Sequence, residues 1–387
     1  MEDIAKRVQG NDGRMNLPTL TISAAVGWMN QLDRFYGNIA GKEQQNYTLL
    51  HRGDLSYNHG NSKLAKYGTV FSLHSYEEAL VPRVYHSFRM INCSADFIEY
   101  YFAARLMDKE LSKLISSGAR MDGLLNISYD EFVGMTMKLP SIEEQNKIAG
   151  YFRKVDSLIT LHQRKLNKLK KVKKSMLEKM FPQNGEKKPQ IRFCGFNSTW
   201  EQRKLGNIAS KVKIKNNGMT YTETFTNSAE QGIISQRDYF DHDVSNAENI
   251  DGYYIVENND FVYNPRISSS APVGPINRNT LGRTGVMSPL YTVFRISDND
   301  YVYMEWLFKS NSWHKFMFLN GDSGARADRF SIKDSIFFDM PIPVPCIEEQ
   351  KQVGEYFSKL DNLITLHQRK LEKLKKMKKA MLEKMFV

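Results

Sequence analysis

Residues 142–181 read IEEQNKIAGYFRKVDSLITLHQRKLNKLKKVKKSMLEKMF, and residues 347–386 read IEEQKQVGEYFSKLDNLITLHQRKLEKLKKMKKAMLEKMF. Without a gap, 29 of the 40 positions are identical at an offset of 205 residues. A period that long marks a duplicated structural unit, not a solenoid repeat. Each copy follows a proline (Pro140 or Pro345), and two acids open its first turn (Glu143 and Glu144, Glu348 and Glu349). Ser141 suits the cap of the first copy, and the acids suit the positive end of a helix dipole.

In the first copy Val155, Leu158, Ile159, Leu166, Leu169, Val172, Met176, Leu177 and Met180 recur at steps of three and four. Leu360, Leu363, Ile364, Leu371, Leu374, Met377, Met381, Leu382 and Met385 repeat the stripe in the second. Neither helix buries such a stripe alone. The pattern therefore predicts that the copies pair as antiparallel coiled-coil helices with a pseudo-two-fold relation. His162 and His367 fall in this seam at matching places and read as hydrogen-bonded seam residues.

Outward from the helices, the chain divides into 1–140, a first helix over 141–181, a linker over 182–199, a second globular segment over 200–345 and a second helix over 346–387. The linker is rich in Pro, Gly, Asn and Lys. Strand-like runs (Tyr47–Leu50, Tyr254–Val256) are followed by turns at Arg52–Asn58 and Asn259–Asn264, with helices expected over Asp96–Ser116 and Tyr301–Leu319. That mixture predicts an α+β domain in each half. The second half opens with WEQRKLGNIA (200–209), and only Glu2–Ala5 matches its end in the first half. The first half thus starts late: either it lacks that lead-in or the chain is a shortened version.

The 387 residues suffice for two domains, and no apolar run is long enough to span a bilayer. Cys93, Cys194 and Cys346 form neither a disulfide framework nor a zinc signature; they read as small packing residues in a reducing, cytoplasmic setting. The net charge of +11 is concentrated in the repeats, which carry +7 and +4, leaving the globular segments near neutral. Any nucleic-acid contact there must come from local clusters.

No phosphate-binding loop, HExxH, nucleophile elbow or dinucleotide fingerprint is present. Asn264-Pro265-Arg266-Ile267 approaches the Asn-Pro-Pro-aromatic loop of adenine methyltransferases, but lacks the second proline, the aromatic and an accompanying cofactor strand. The loops are more telling. Asn58, His59 and Lys63 in the first half match Asn264, Arg266, Ser268 and Ser269 in the second. These side chains suit base edges and phosphates, and neighbouring glycines permit close backbone approach. Arg83 and Arg283 join the candidate DNA contacts, as do Arg120 and Arg326 in two Ser-Gly-Ala-Arg turns. Those turns could equally be polar loop caps.

The doubled I-E-E-Q…Y-F…D…L-I-T-L-H-Q-R-K-L…K-L-K-K…M-L-E-K-M-F and the W-E-Q-R-K-L-G opening resemble the specificity (S) subunit of type I restriction–modification systems. The resemblance covers the whole chain and implies two target-recognition domains held apart by the paired helices. Each would read one part of a bipartite double-stranded DNA site. It implies docking of two methyltransferase (M) subunits that bind S-adenosylmethionine, and of restriction (R) subunits that use ATP and Mg²⁺. No chemistry is expected in this chain. The helix stripes would serve helix pairing and M-subunit docking. From Asp156 to Met180 a helix extends about 37 Å, near the ~34 Å of one DNA turn, so helix length is expected to set the gap. Dissimilar halves imply an asymmetric target. The alternatives are a stand-alone sequence-specific DNA-binding protein without a methylase partner, an enzyme in its own right, and a structural coiled coil.

Overall fold

The computed structural model describes residues 1–35, 41–60, 62–115, 124–183, 185–240, 250–322 and 328–386. The chain folds as two compact units, Met1–Gln163 with Arg369–Val387, and Arg164–Gln368. Two long helices, Ile142–Lys179 and Ile347–Met385, each contribute to both units.

The first unit is built on a four-stranded antiparallel sheet ordered Ala5–Arg7, His86–Met90, Leu55–Asn58, Thr69–Ser72. Two ribbons, Leu20–Ser23 with Gly27–Asn30 and Thr48–His51 with Glu78–Val81, complete it. The second unit repeats this plan with Ala209–Lys211, Thr292–Ile296, Phe261–Tyr263 and Ile276–Arg278. Its ribbons are Phe225–Ser228 with Gly232–Ser235 and Tyr254–Val256 with Gly285–Met287. Leu55–Asn58 and Phe261–Tyr263, read from sequence as parts of turns, are central strands buried on both faces, and the turn is confined to the residues before them. Each unit is α+β.

A buried carboxylate ties that turn down in both units. Asp54 is fully buried, accepts from the His51 backbone N–H at 2.8 Å and from Arg89 Nε at 2.6 Å. Asp260 does the same with Glu257 N–H at 2.8 Å and Arg295 Nε at 2.7 Å. A buried charge persists only when paired in this way.

The helix expected over Asp96–Ser116 is two helices, Ala95–Ala103 and Asp108–Leu114. Arg105 adopts a left-handed backbone (φ 65°) that no helix interior accommodates, so the chain turns there. Likewise Tyr301–Leu319 splits into Tyr301–Lys309 and His314–Asn320, because Ser310 is extended (ψ 171°) and caps the first helix, its N–H on the Trp306 and Leu307 carbonyls and its hydroxyl on Leu307. Cys194 and Cys346 are exposed, correcting their reading as packing residues; only Cys93 is partly buried.

Within the first unit the start of the first long helix packs on the end of the second. Phe152 stacks on Phe386 at 5.8 Å, and Lys378 binds Asp156 at 2.6 and 2.8 Å. In the second unit Phe357 stacks on Phe181 at 5.8 Å, and Lys173 pairs with Asp361. In each case a later residue of one helix meets an earlier residue of the other, so the packing is antiparallel. The pairs are reciprocal, Lys of either helix with Asp of the other. Among the described residues no helix is long and apolar enough to cross a membrane.

Candidate nucleic-acid interface

The loop after the central strand has one frame in both units. In the first, Asn58 Oδ1 accepts from the Gly60 N–H at 3.0 Å while its Nδ2 donates to the Ile22 carbonyl at 3.3 Å. In the second, Asn264 Oδ1 accepts from the Arg266 N–H at 2.9 Å and its Nδ2 donates to the Asn227 carbonyl at 2.8 Å. Short amides favour this local bond to the backbone two residues on. Next, Ser62 Oγ accepts from Ala65 N–H at 3.1 Å, and Ser268 Oγ from Ala271 N–H at 3.2 Å. The buried Tyr57 hydroxyl donates to the Tyr67 carbonyl at 2.8 Å, and Tyr263 to the Val273 carbonyl at 2.9 Å. Burial raises both phenols above their ordinary pKa. Gly68 and Gly274 close the loops at φ near +80°, where a Cβ would strike the Asn58 or Asn264 carbonyl oxygen.

What stands on this frame differs. Gly60 and Lys63 in the first unit occupy the places of Arg266 and Ser269 in the second. Lys63, Arg266, Ser268 and Ser269 are exposed, as is Arg83. Arg266, Ser268 and Ser269 line one polar cleft of about 360 Å³ with Asn227, Tyr239 and Tyr291. Asn227 also donates to the Val262 carbonyl at 2.7 Å and accepts from Asn277 at 2.7 Å. This cleft offers hydroxyls, amides and one guanidinium, the groups that meet base edges and phosphates.

Four candidates have other employment. Asn58 and Asn264 hold the frame through both ends of their amides. His59 is 4% exposed, its ring tilted against that of His86 with centroids 4.9 Å apart, so it does not reach the surface. Arg283 is held bidentately by Glu223, both bonds 2.7 Å, which neutralises it. Arg120 and Arg326 lie outside the described residues. Sequence reading missed Arg105, whose guanidinium donates to the Gly68 and Leu64 carbonyls and braces the first loop. It also missed Asn227 and Asn277. No local spacing marks them; only the meeting of the Phe225–Ser228 ribbon with the sheet strand Ile276–Arg278 brings them there.

On the long helices Leu166, Ile364 and Leu371 are buried, while Ile159, Leu169, Val172, Met176, Leu374, Met377 and Met381 are half-buried. Leu158 and Leu363 depart from the seam: they are 44% and 46% exposed, beside Leu161 and Leu366 at 47% and 45%. Each copy thus displays the same apolar pair to solvent.

Residues 197–376 match the family described as a type I restriction modification DNA specificity domain. The chain is 25% identical over 350 residues to a putative type I restriction enzyme specificity subunit, MjaX, of Methanocaldococcus jannaschii, covering 85% of this chain and 76% of that one. The MjaVIII specificity subunit of the same organism is 22% identical over 285 residues, 69% of this chain and 65% of its own. In fold, the chain is similar to the crystal structure of a type I restriction–modification S subunit from M. genitalium, with a TM-score of 0.51 at 11% identity, over 100% of this chain and 94% of that one. The first half repeats the fold plan of the matched half, and the chain is similar to type I restriction–modification specificity subunits.

Proposed function

We propose that each half reads one part of an asymmetric, bipartite double-stranded DNA site, and that the long helices set the gap between the parts. One observation carries the reading: a single loop frame is built twice, and the exposed side chains mounted on it differ. Identical scaffolds with unlike readers recognise unlike base sequences. The near-neutral globular segments leave sequence readout to local groups such as Arg266 and Lys63, while affinity draws on phosphate contacts.

Two methyltransferase subunits dock on the repeated helices, and the duplicated Leu158–Leu161 and Leu363–Leu366 faces supply two equivalent apolar footholds. S-adenosylmethionine belongs to those partners, and ATP with Mg²⁺ to restriction subunits; this chain contributes recognition and no chemistry.

Selection of bound duplexes from a random pool by the chain with its methyltransferase partner tests the reading. Two unlike half-sequences around an unread gap are expected. A single continuous or palindromic motif would overturn it. Inserting four residues into both long helices should lengthen the preferred gap, and an unmoved gap defeats the spacer role.

A further inference from the structure

The loop in each unit contains the same four-residue reversal. In the first, Ser62 N–H donates to the Ala65 carbonyl at 3.2 Å and Ala65 N–H to that of Ser62 at 3.1 Å. In the second, Ser268 and Ala271 exchange the same two bonds, each at 3.1 Å. Ala65 and Ala271 are buried, whereas the two central residues of each turn are exposed. Those residues are Lys63 and Leu64 in the first unit, Ser269 and Ser270 in the second.

Serine suits such a turn, and the Ser270 hydroxyl lies 3.1 Å from that of Ser268 as its hydrogen-bond partner. Leucine does not suit it. Leu64 is 65% exposed, and an apolar side chain satisfies no donor of the turn. The backbone beneath it is nevertheless fixed from outside. Arg105 donates to the Leu64 carbonyl and, at 3.2 Å, to that of Gly68. Asn311 takes the place of Arg105 in the second unit, so this guanidinium brace is particular to the first loop. Lys63 and Lys66, both exposed, stand on either side of the leucine in the chain, and Lys66 Nζ lies 5.2 Å from the Tyr67 ring centroid.

A firmly held apolar tip between two cations matches the groove of a duplex. The lysines suit phosphates. The tip suits base edges, among which the apolar group of the major groove is the thymine 5-methyl. We infer that Leu64 is a specificity-determining residue of the first unit, reading a thymine by packing on its 5-methyl group. This rests on the reading of each half as a DNA-recognition unit and adds the identity of one base pair to it. The second unit carries hydroxyls at the same place, so its half-sequence is read there by hydrogen bonds.

The test uses duplexes selected by the chain with its methyltransferase partner. Deoxyuridine replaces each thymine of both half-sequences in turn, which removes the methyl and keeps the base pairing. One replacement, in one half, should weaken binding about fourfold, the effect of withdrawing one methyl from burial. Leu64→Ala should weaken binding to the thymine duplex at least as much and make that duplex and its deoxyuridine counterpart equal. Leu64→Met keeps an apolar tip and should keep the thymine preference, which separates a lost contact from a disturbed loop. A deoxyuridine effect that survives Leu64→Ala overturns the inference, as does a site in which no thymine methyl matters. Leu64→Ala weakening every duplex alike, with the methyl effect intact, would make the leucine a wedge between base steps and also overturn it. Selection of no bipartite sequence at all would defeat the underlying reading, and the inference with it.

Discussion

The first and second units agree where they are buried and differ where they are exposed. Asp54 with Arg89 and Asp260 with Arg295, Tyr57 and Tyr263, Gly68 and Gly274 occupy the same places with the same bonds. Gly60 and Lys63 against Arg266 and Ser269 share only their positions. Duplication has kept what the backbone needs and released what faces solvent. A side chain that satisfies a buried group cannot change without cost, whereas one resting on a satisfied frame is free to.

The largest test of this equivalence is at the helix ends. Phe181→Ala and Phe386→Ala each remove a buried aromatic stacked on the other long helix, on Phe357 and Phe152 respectively, and each should cost about 3–5 kcal/mol. Hydrogen exchange should show the first loosening only Arg164–Gln368 and the second only Met1–Gln163 with the chain's last helical turns. If both variants loosen one unit, the reciprocal packing is refuted. Next, Asp54→Ala and Asp260→Ala each leave a backbone N–H without its acceptor and an arginine without its buried carboxylate, at about 2–3 kcal/mol. Equal losses in urea unfolding are expected, and a large loss in one alone would break the parallel.

A smaller effect separates the two readers. Arg266→Ala should lose about 1–3 kcal/mol of discrimination at one half-sequence and leave the other untouched. Lys63→Ala should weaken binding to the opposite half and flatten the salt dependence by about one phosphate contact. Competition binding with duplexes altered in one half at a time measures both. Loss at both halves from either change would show that the readers are not separate.

The long helices, their antiparallel pairing and the α+β class were legible because a 29-residue identity with helical periodicity leaves few foldings open. The loop frame was half legible: Asn58 and Asn264 stood out as residues, but amides that suit a base edge suit a neighbouring carbonyl equally, and only the fold decides. Glu349 was less legible still. From sequence it is a dipole partner like Glu144, and nothing local announces Arg192, 157 positions away, as its counter-ion. Non-local satisfaction of a buried charge is what pattern reading cannot supply.

The finest distinction between the units is a titration. In the first, Asp96 accepts from Arg153 at 2.7 Å and lies 2.9 Å from His74 Nε2, with Glu99 3.7 Å away. Burial disfavours the charged imidazole and Arg153 opposes it, but the hydrogen bonds to Asp96 and Glu99 outweigh both and raise the His74 pKa above its ordinary value. Asp96, although burial works against it, is held well below the usual carboxylate range by His74 and Arg153. A raised pKa means that folding is favoured by protonation: the contribution is fully present below the unfolded value near 6.5 and fades as pH rises through the folded value. Asp96 stays ionised throughout that range and adds no slope there. Thr280, which does not titrate, stands at the matching place in the second unit. Between pH 6 and 8.5, amide protection around the Ala95–Ala103 helix should therefore fall modestly while that around Tyr301–Lys309 stays level, and His74→Gln should abolish the difference. Equal slopes in both helices, or a slope that survives His74→Gln, would remove His74 from the comparison.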